Sequence, residues 1–141
     1  MTDVNSLQVL QPPGWVQPRG FANGIAARGR LVFTAGMIGW NGQQVFETDD
    51  FVEQTKQALL NVLAVVAEAG GGPEHLVRLT WFITDRPAYL AQQRQIGAAY
   101  REVLGRHYPA MSVVAVSALM EDRAKVEIEG LAVIPESTAP R

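Results

Sequence analysis

YPAMSVVAVSALMEDRAKVEIEGLAVIP, residues 108–135, is the stretch that decides the fold. Its two apolar segments, which are rich in β-branched residues, predict strands over 112–119 and 125–134 joined by a charged turn. Glu127 is a carboxylate inside the otherwise apolar second strand. A carboxylate in such a place is either a solvated residue paired with a nearby cation or the polar centre of a pocket.

The segments immediately upstream alternate between helix and strand. Apolar residues at three- and four-residue steps predict a helix over Phe51–Ala69, capped by the acidic residues before it and ended by Gly70. Leu76–Thr84 has the pattern of a strand. A second helix is predicted to start after Asp85 and to end at Gly105.

The N-terminal third predicts shorter strands. Ser6–Leu10 has the pattern of a short edge strand. Gly24–Ala27 and Arg30–Ile38 are predicted to be two strands around a tight turn at Arg28-Gly29, where Gly29 can adopt a positive φ. Asn41-Gly42 is a second turn signal.

This order of elements is typical of an α+β fold, a mixed β-sheet with two helices packed on one face. The chain has 141 residues and is expected to form a single domain over 1–141, with frayed ends at about 1–5 and 136–141. The strands at 76–84 and 112–119 are apolar on both faces, whereas two helices cover only one. We therefore expect the second face to be buried by self-association.

Composition excludes several functional classes. The 12 Lys and Arg residues against 14 Asp and Glu residues give a net charge of -2, which argues against general nucleic-acid binding. The chain has no cysteine, and His75 and His107 lack metal-ligand spacing, so no metal site is expected. It contains no apolar run long enough to span a membrane and no signal-like N-terminus, so we expect no membrane partner and a cytoplasmic location.

Five segments in this order closely resemble the Rid family (reactive intermediate deaminases, also called YjgF or L-PSP). The resemblance extends from about residue 19 to 135, through GFANGI (20–25), LVFTAGMIG (31–39), VRLTWFITD (77–85), YPAMSVVAVSAL (108–119) and VEIEGLAVIP (126–135). It implies a chorismate-mutase-like fold and a homotrimer whose sheets form a central barrel. It also implies small-molecule clefts between neighbours and no metal or organic cofactor. In the deaminase branch these clefts hydrolyse enamines and imines to ketoacids and ammonia.

The resemblance carries over unevenly to the site residues. The family glutamate that holds or deprotonates water matches Glu127, but its substrate-binding arginine matches Met111. An arginine fork binds a carboxylate through two charged hydrogen bonds, and a thioether offers none. The other substrate-binding positions are Phe21, which has lost a tyrosine hydroxyl, Ala35, Gly36, Gly97 in place of an asparagine, and Val113. Trp40 is a further candidate for the cleft wall.

These replacements predict a less polar pocket with weak or no activity on ordinary 2-imino acids, unless another cation replaces the arginine. Arg19, Arg78, Arg106 and His107 are the candidates. Met111 is either a cleft wall or plain core. Glu129, on the same strand face as Glu127, fits a structural or interface ion pair better than a catalytic role.

Three functions remain open at this point. The first is a homotrimer that adds water to an imine, an enamine or a related molecule of low polarity, with Glu127 activating the water. The second is a non-catalytic trimer that binds a small molecule or another protein. The third is an endoribonuclease, against which the acidic charge balance and the absence of a placed histidine pair both argue.

Overall fold

The computed structural model describes residues 7–136. The frayed ends expected at 1–5 and 136–141 therefore lie outside the described residues, except for Glu136, and so does Ser6 of the first predicted strand. Within this part of the chain, no helix is long and apolar enough to cross a membrane.

The described residues form seven strands and three α-helices, with a short 3-10 turn at Pro73–His75. The strands are β1 (Gln8–Leu10), β2 (Gly24–Ala26), β3 (Arg30–Phe33), β4 (Met37–Ile38), β5 (Leu76–Ile83), β6 (Ala110–Ala115) and β7 (Val126–Ile134). The helices are α1 (Phe51–Glu68), α2 (Arg86–Ala91) and α3 (Gln93–Leu104).

The main sheet has the order β3-β7-β5-β6, and β4 also pairs with β7. Strands β5 and β6 are parallel, whereas β7 runs antiparallel to β3, β4 and β5, so the sheet is mixed. Helices α1 and α3 contribute to one core with the sheet face that carries Leu79 and Ile128. The predicted α+β fold, with a mixed sheet and two main helices, is confirmed.

The predicted pairing of the two early strands is wrong. β2 pairs with β1, whereas β3 pairs with β7. Gly29 does have a positive φ, of 151°, but any Cβ there would collide with the carbonyl oxygen of Ile134 at the end of β7. The glycine thus allows close packing against β7 and does not close a hairpin.

The strand predicted over 30–38 is interrupted at residues 34–36. Thr34 bonds to Gly130 twice: its backbone N–H donates to the Gly130 carbonyl at 2.9 Å, and its Oγ1 accepts from the Gly130 N–H at 2.9 Å. These bonds maintain the pairing with β7 while Ala35 and Gly36 leave the ladder. β3 and β4 are therefore two separate strands along the same edge of β7.

The second predicted helix is two helices, α2 and α3, separated at Gln92. Asp85 caps α2 by accepting from the Ala88 N–H at 3.0 Å, and Gly105 ends α3 with a φ of 68°, as expected. The strand predicted over 112–119 spans 110–115 instead. β5 lies between β6 and β7, so the two strands of the opening stretch are not neighbours.

The sheet face opposite the helices is uncovered by residues 7–136. On β5 this face carries Arg78, Thr80 and Phe82, none of which is fully buried. On β3 it carries Leu31 and Phe33, whose side chains are 58% and 71% exposed. The helices leave one sheet face open, as expected, but this face is not uniformly apolar, because β5 contributes Arg78 and Thr80 to it.

Candidate functional site: a cavity and a carboxylate on opposite sheet faces

A cavity of about 530 Å³ lies on the helix side of the sheet at the β6 edge. It is surrounded by strand β6, helices α2 and α3, and the segment around Phe21. Its lining is mostly apolar and aromatic and also includes two arginines: Arg19, Gly20, Phe21, Trp81, Tyr89, Gln93, Ile96, Gly97, Tyr100, Arg101, Tyr108, Met111 and Val113.

The register between β5 and β6 points Met111 and Val113 into this cavity. Met111 lies opposite Leu79, and Val113 lies opposite Trp81. Leu79 and Trp81 are buried on the helix side, and paired residues share a sheet face. Met111 is therefore a cavity wall that also packs against the edge of the core.

Phe21 is held at the cavity by its neighbour in sequence. Ala22 forms a bridge to Ala110 at the start of β6, and its N–H donates to the Pro109 carbonyl at 3.0 Å. Phe21 itself is 40% exposed. Its ring therefore lines the cavity near the solvent and offers no hydroxyl.

Three aromatic rings form one side of the cavity. Trp81 stacks on Tyr100 with centroids 6.4 Å apart, and Tyr100 stacks on Tyr108 at 5.3 Å. The Tyr100 hydroxyl donates to the His107 carbonyl at 2.6 Å, and burial raises the pKa of this tyrosine far above its usual value. Burial also raises the pKa of Tyr89. Both phenols are therefore neutral at physiological pH.

Glu127 lies on the other face of the sheet. It pairs with Phe82 on β5 and with Ile38 on β4. A Cβ on Gly36 would lie 2.5 Å from Glu127 Oε2, so a larger residue there would displace this carboxylate. The side chain is half-buried, and no donor within residues 7–136 forms a hydrogen bond or an ion pair with it.

The predicted site residues thus fall into two separate groups. Phe21, Gly97, Met111 and Val113 line the cavity on the helix side. Gly36 lies beside Glu127 on the open face, and Ala35 precedes it in the break between β3 and β4. Within one chain the sheet separates the carboxylate from the cavity.

Trp40 belongs to neither group. Its ring packs against Phe46, with centroids 5.6 Å apart, and its carbonyl accepts from the Asn61 side chain at 2.7 Å. It does not line the cavity at the β6 edge.

The candidate replacement cations are also distributed unevenly. Only Arg19 of the four lines the cavity. Arg78 lies on the open face and reaches Ser112 Oγ at 3.4 Å, and His107 Nε2 is 2.7 Å from the Leu76 carbonyl oxygen.

Arg101 lines the cavity and was missed by the sequence reasoning. Its position four residues after Gly97 on one helix was the available signal, because residues at that spacing share a face.

Comparison with known proteins agrees with this architecture. Residues 17–134 match the family described as Endoribonuclease L-PSP. The chain belongs to this family, the Rid proteins. It is 37% identical to the RutC family protein slr0709 of Synechocystis over 92% of this chain and 95% of that protein.

Two further Rid proteins connect the chain to a structure and to a named activity. A Yersinia pestis Rid protein of unknown function, YyfB, superimposes with a TM-score of 0.79 at 30% identity, covering 91% of this chain and 98% of the other. The 2-iminobutanoate/2-iminopropanoate deaminase of Escherichia coli is 33% identical over 74% of this chain and 80% of that enzyme.

Proposed function

We propose that this Rid protein is a homotrimer whose clefts between neighbouring chains hydrolyse an imine or enamine with an apolar body. The observation that carries the proposal is the separation of Glu127 from the cavity by the sheet of its own chain. A carboxylate on one chain and a cavity on the next would form a complete site only where two chains meet.

The surfaces needed for such an assembly are exposed. Leu31 and Phe33 on the open face, together with Val114 on β6, present apolar surface to solvent. A groove of about 250 Å³ between Phe33, Arg78 and Glu129 follows the same face. Burying this surface against a second chain is favourable, and it would cover the sheet edge at β6.

The proposed reaction is addition of water to a C=N bond. Glu127 accepts a proton from water as the water oxygen bonds to the carbon of the protonated imine, giving a neutral tetrahedral aminoalcohol. The carboxyl group then returns this proton to nitrogen, the C–N bond breaks as the hydroxyl group loses its proton to form the carbonyl, and a carbonyl compound, ammonia and a proton leave. Backbone amides near Val113 and Gly36 would orient the ligand.

The pocket chemistry sets the substrate preference. By the family resemblance, Met111 matches the substrate-binding arginine of the deaminases and offers only a thioether, and Phe21 offers no hydroxyl. A small 2-imino acid would lose its charged partner on β6, whereas a ligand with an apolar body gains contacts with the wall. We therefore expect slow turnover of the imines of small amino acids.

The test is hydrolysis of imines that an amino-acid oxidase generates in situ, followed by competition with semicarbazide. Wild type should accelerate hydrolysis of an imine with a large apolar side chain, and Glu127→Gln should abolish the acceleration. Met111→Arg should improve turnover of the imine of alanine. No acceleration with any imine, or an unchanged rate in Glu127→Gln, would refute the enzymatic proposal.

A non-catalytic binding trimer is the second candidate. It is favoured by the loss of polar groups at three cavity positions, Phe21, Gly97 and Met111. Ligand binding that raises the melting temperature equally in wild type and Glu127→Gln, without turnover, would support this candidate. The ribonuclease function named in the family description has no support in the charge of -2.

A further inference from the structure

The cavity is lined by two arginines, Arg19 and Arg101, that belong to segments other than β6. We infer that Arg101, assisted by Arg19, binds the carboxylate of the ligand in place of the arginine that Met111 has replaced. The ligand class is then a carboxylate with an aromatic body, and the inference rests on the proposed function only in taking this cavity as the substrate half of the site.

The first argument is the glycine at position 97. Gly97 lies in the middle of α3 and does not have a positive φ, so the backbone gives no reason for glycine there. Glycine weakens a helix interior relative to alanine. The only nearby atom that an added Cβ would meet is Arg101 Nη1, at 3.3 Å. The missing side chain therefore leaves room for the Arg101 guanidinium at the cavity.

The second argument is the lack of a protein anion for either cation. Within residues 7–136, neither Arg19 nor Arg101 forms an ion pair or a side-chain hydrogen bond. Glu102, the acidic neighbour of Arg101 in sequence, is paired with Lys56 at 3.0 Å. Two unpaired guanidinium groups lining one cavity favour an anionic ligand.

The third argument is the shape and chemistry of the remaining wall. Phe21, Tyr108 and Met111 offer ring and thioether surface, and the volume of about 530 Å³ lies in the range of small-molecule sites. The buried Trp81 Nε1 is a further donor beside the cavity and has no acceptor among the described residues. A ligand whose aryl group packs against this wall would direct its carboxylate toward Arg19 and Arg101.

Binding to the full-length protein tests the inference without requiring turnover. The probes are 3-phenylpropanoate and its uncharged amide, measured by isothermal titration calorimetry. Wild type should bind the acid more tightly than the amide. Arg101→Gln should weaken the acid by roughly tenfold to a hundredfold and leave the amide unchanged, because only the acid uses the charged hydrogen bonds.

Arg106→Gln is the matched control, since it removes the same charge from a nearby exposed residue outside the cavity. It should leave both affinities unchanged, and Arg101→Lys should restore part of the acid affinity. Equal binding of acid and amide by wild type, no binding of either, or an unchanged acid affinity in Arg101→Gln would overturn the inference.

The two proposals fail in different ways. Arg101-dependent acid binding without any imine hydrolysis would contradict the proposed reaction and leave this inference standing. Imine hydrolysis whose KM does not change in Arg101→Gln would contradict this inference and leave the proposed reaction standing.

Discussion

At the scale of single residues, the lack of a side chain at Gly36 leaves the space that the Glu127 carboxyl group occupies. An added Cβ on Gly36 would come within 2.5 Å of Oε2 and 2.7 Å of Cδ of the glutamate. The contact is with the far end of a flexible side chain, so substitution would move the carboxylate and leave the backbone in place. The position of this acid is therefore set by the absence of a neighbouring side chain.

Gly36→Ala should therefore reduce imine hydrolysis without unfolding the protein. Displacing a reacting group by about 1 Å costs on the order of a hundredfold in rate, so we expect a fall of that order in kcat with a smaller change in KM. Gly42→Ala is the control, because a Cβ there meets nothing within 4 Å. Equal effects of the two substitutions would show that the contact with Glu127 is irrelevant.

The raised pKa of Tyr100 predicts that the stability of the protein falls at alkaline pH. Its pKa in the folded protein is raised by burial, so its contribution to stability is complete below the unfolded value of about 10 and is lost as the pH rises through the folded value. Urea denaturation between pH 8 and 11 should show falling stability above about pH 10. Tyr100→Phe should have a flatter profile, and a profile as steep as that of wild type would contradict the assignment.

At the scale of elements, Gln54 ties helix α1 to the loop before β7. Its Nε2 donates to the carbonyls of Thr48 and Arg123 at 3.1 and 3.0 Å, and its Oε1 accepts from the Lys125 N–H at 2.9 Å. The side chain is fully buried. It therefore satisfies three backbone groups that the helix and the loop leave unpaired.

Gln54→Ala should destabilise the protein by roughly 2–4 kcal/mol, because it leaves buried polar groups unsatisfied and opens a cavity. The free energy of unfolding from urea titration measures this loss. Glu68→Ala, at an exposed position on the same helix, should change it little. A loss below about 0.5 kcal/mol for Gln54→Ala, the size of an ordinary surface effect, would show that the loop does not depend on this residue.

Local sequence patterns identified most elements but not their partners. The cap, face and end of α1 followed from Asp50, the apolar spacing and Gly70, because these signals act within a few residues. The pairing of β2 with β1 and the break at 34–36 depend on bonds to distant residues, such as Gly130. Strand periodicity carries no information about such bonds.

The candidate site also depends on contacts between distant residues, about which local sequence patterns carry no information. The family resemblance predicted Glu127 and Met111 as site residues, and the strand register shows that they lie on opposite faces. The four-residue spacing puts Gly97 and Arg101 on one helix face, but this spacing alone does not distinguish Arg101 from a solvated helix residue. Its meaning depends on a cavity formed by four separate segments of the chain.

At the scale of the whole molecule, the proposed assembly and the proposed reaction both depend on the open sheet face. Phe33 is a large apolar residue, 71% exposed, on this face. If the face packs against other chains, a charge at position 33 would be buried without a partner.

Phe33→Glu should therefore convert the proposed trimer to monomers, as measured by size-exclusion chromatography with light scattering. Leu60→Glu provides the control, since Leu60 is 43% exposed on helix α1, away from the sheet. A Phe33→Glu protein that keeps the wild-type mass would show that the chains associate through another surface or not at all.

Mixing two inactive variants tests the shared site most directly. Glu127→Gln removes the carboxylate, and Gly97→Trp fills the cavity, so each homotrimer should be inactive. After equimolar unfolding and refolding together, about one cleft in four should join an intact carboxylate to an intact cavity. We predict recovery of about a quarter of the wild-type rate of imine hydrolysis. Mixed trimers, verified by native mass spectrometry, that remain as inactive as either parent would contradict a site built from two chains.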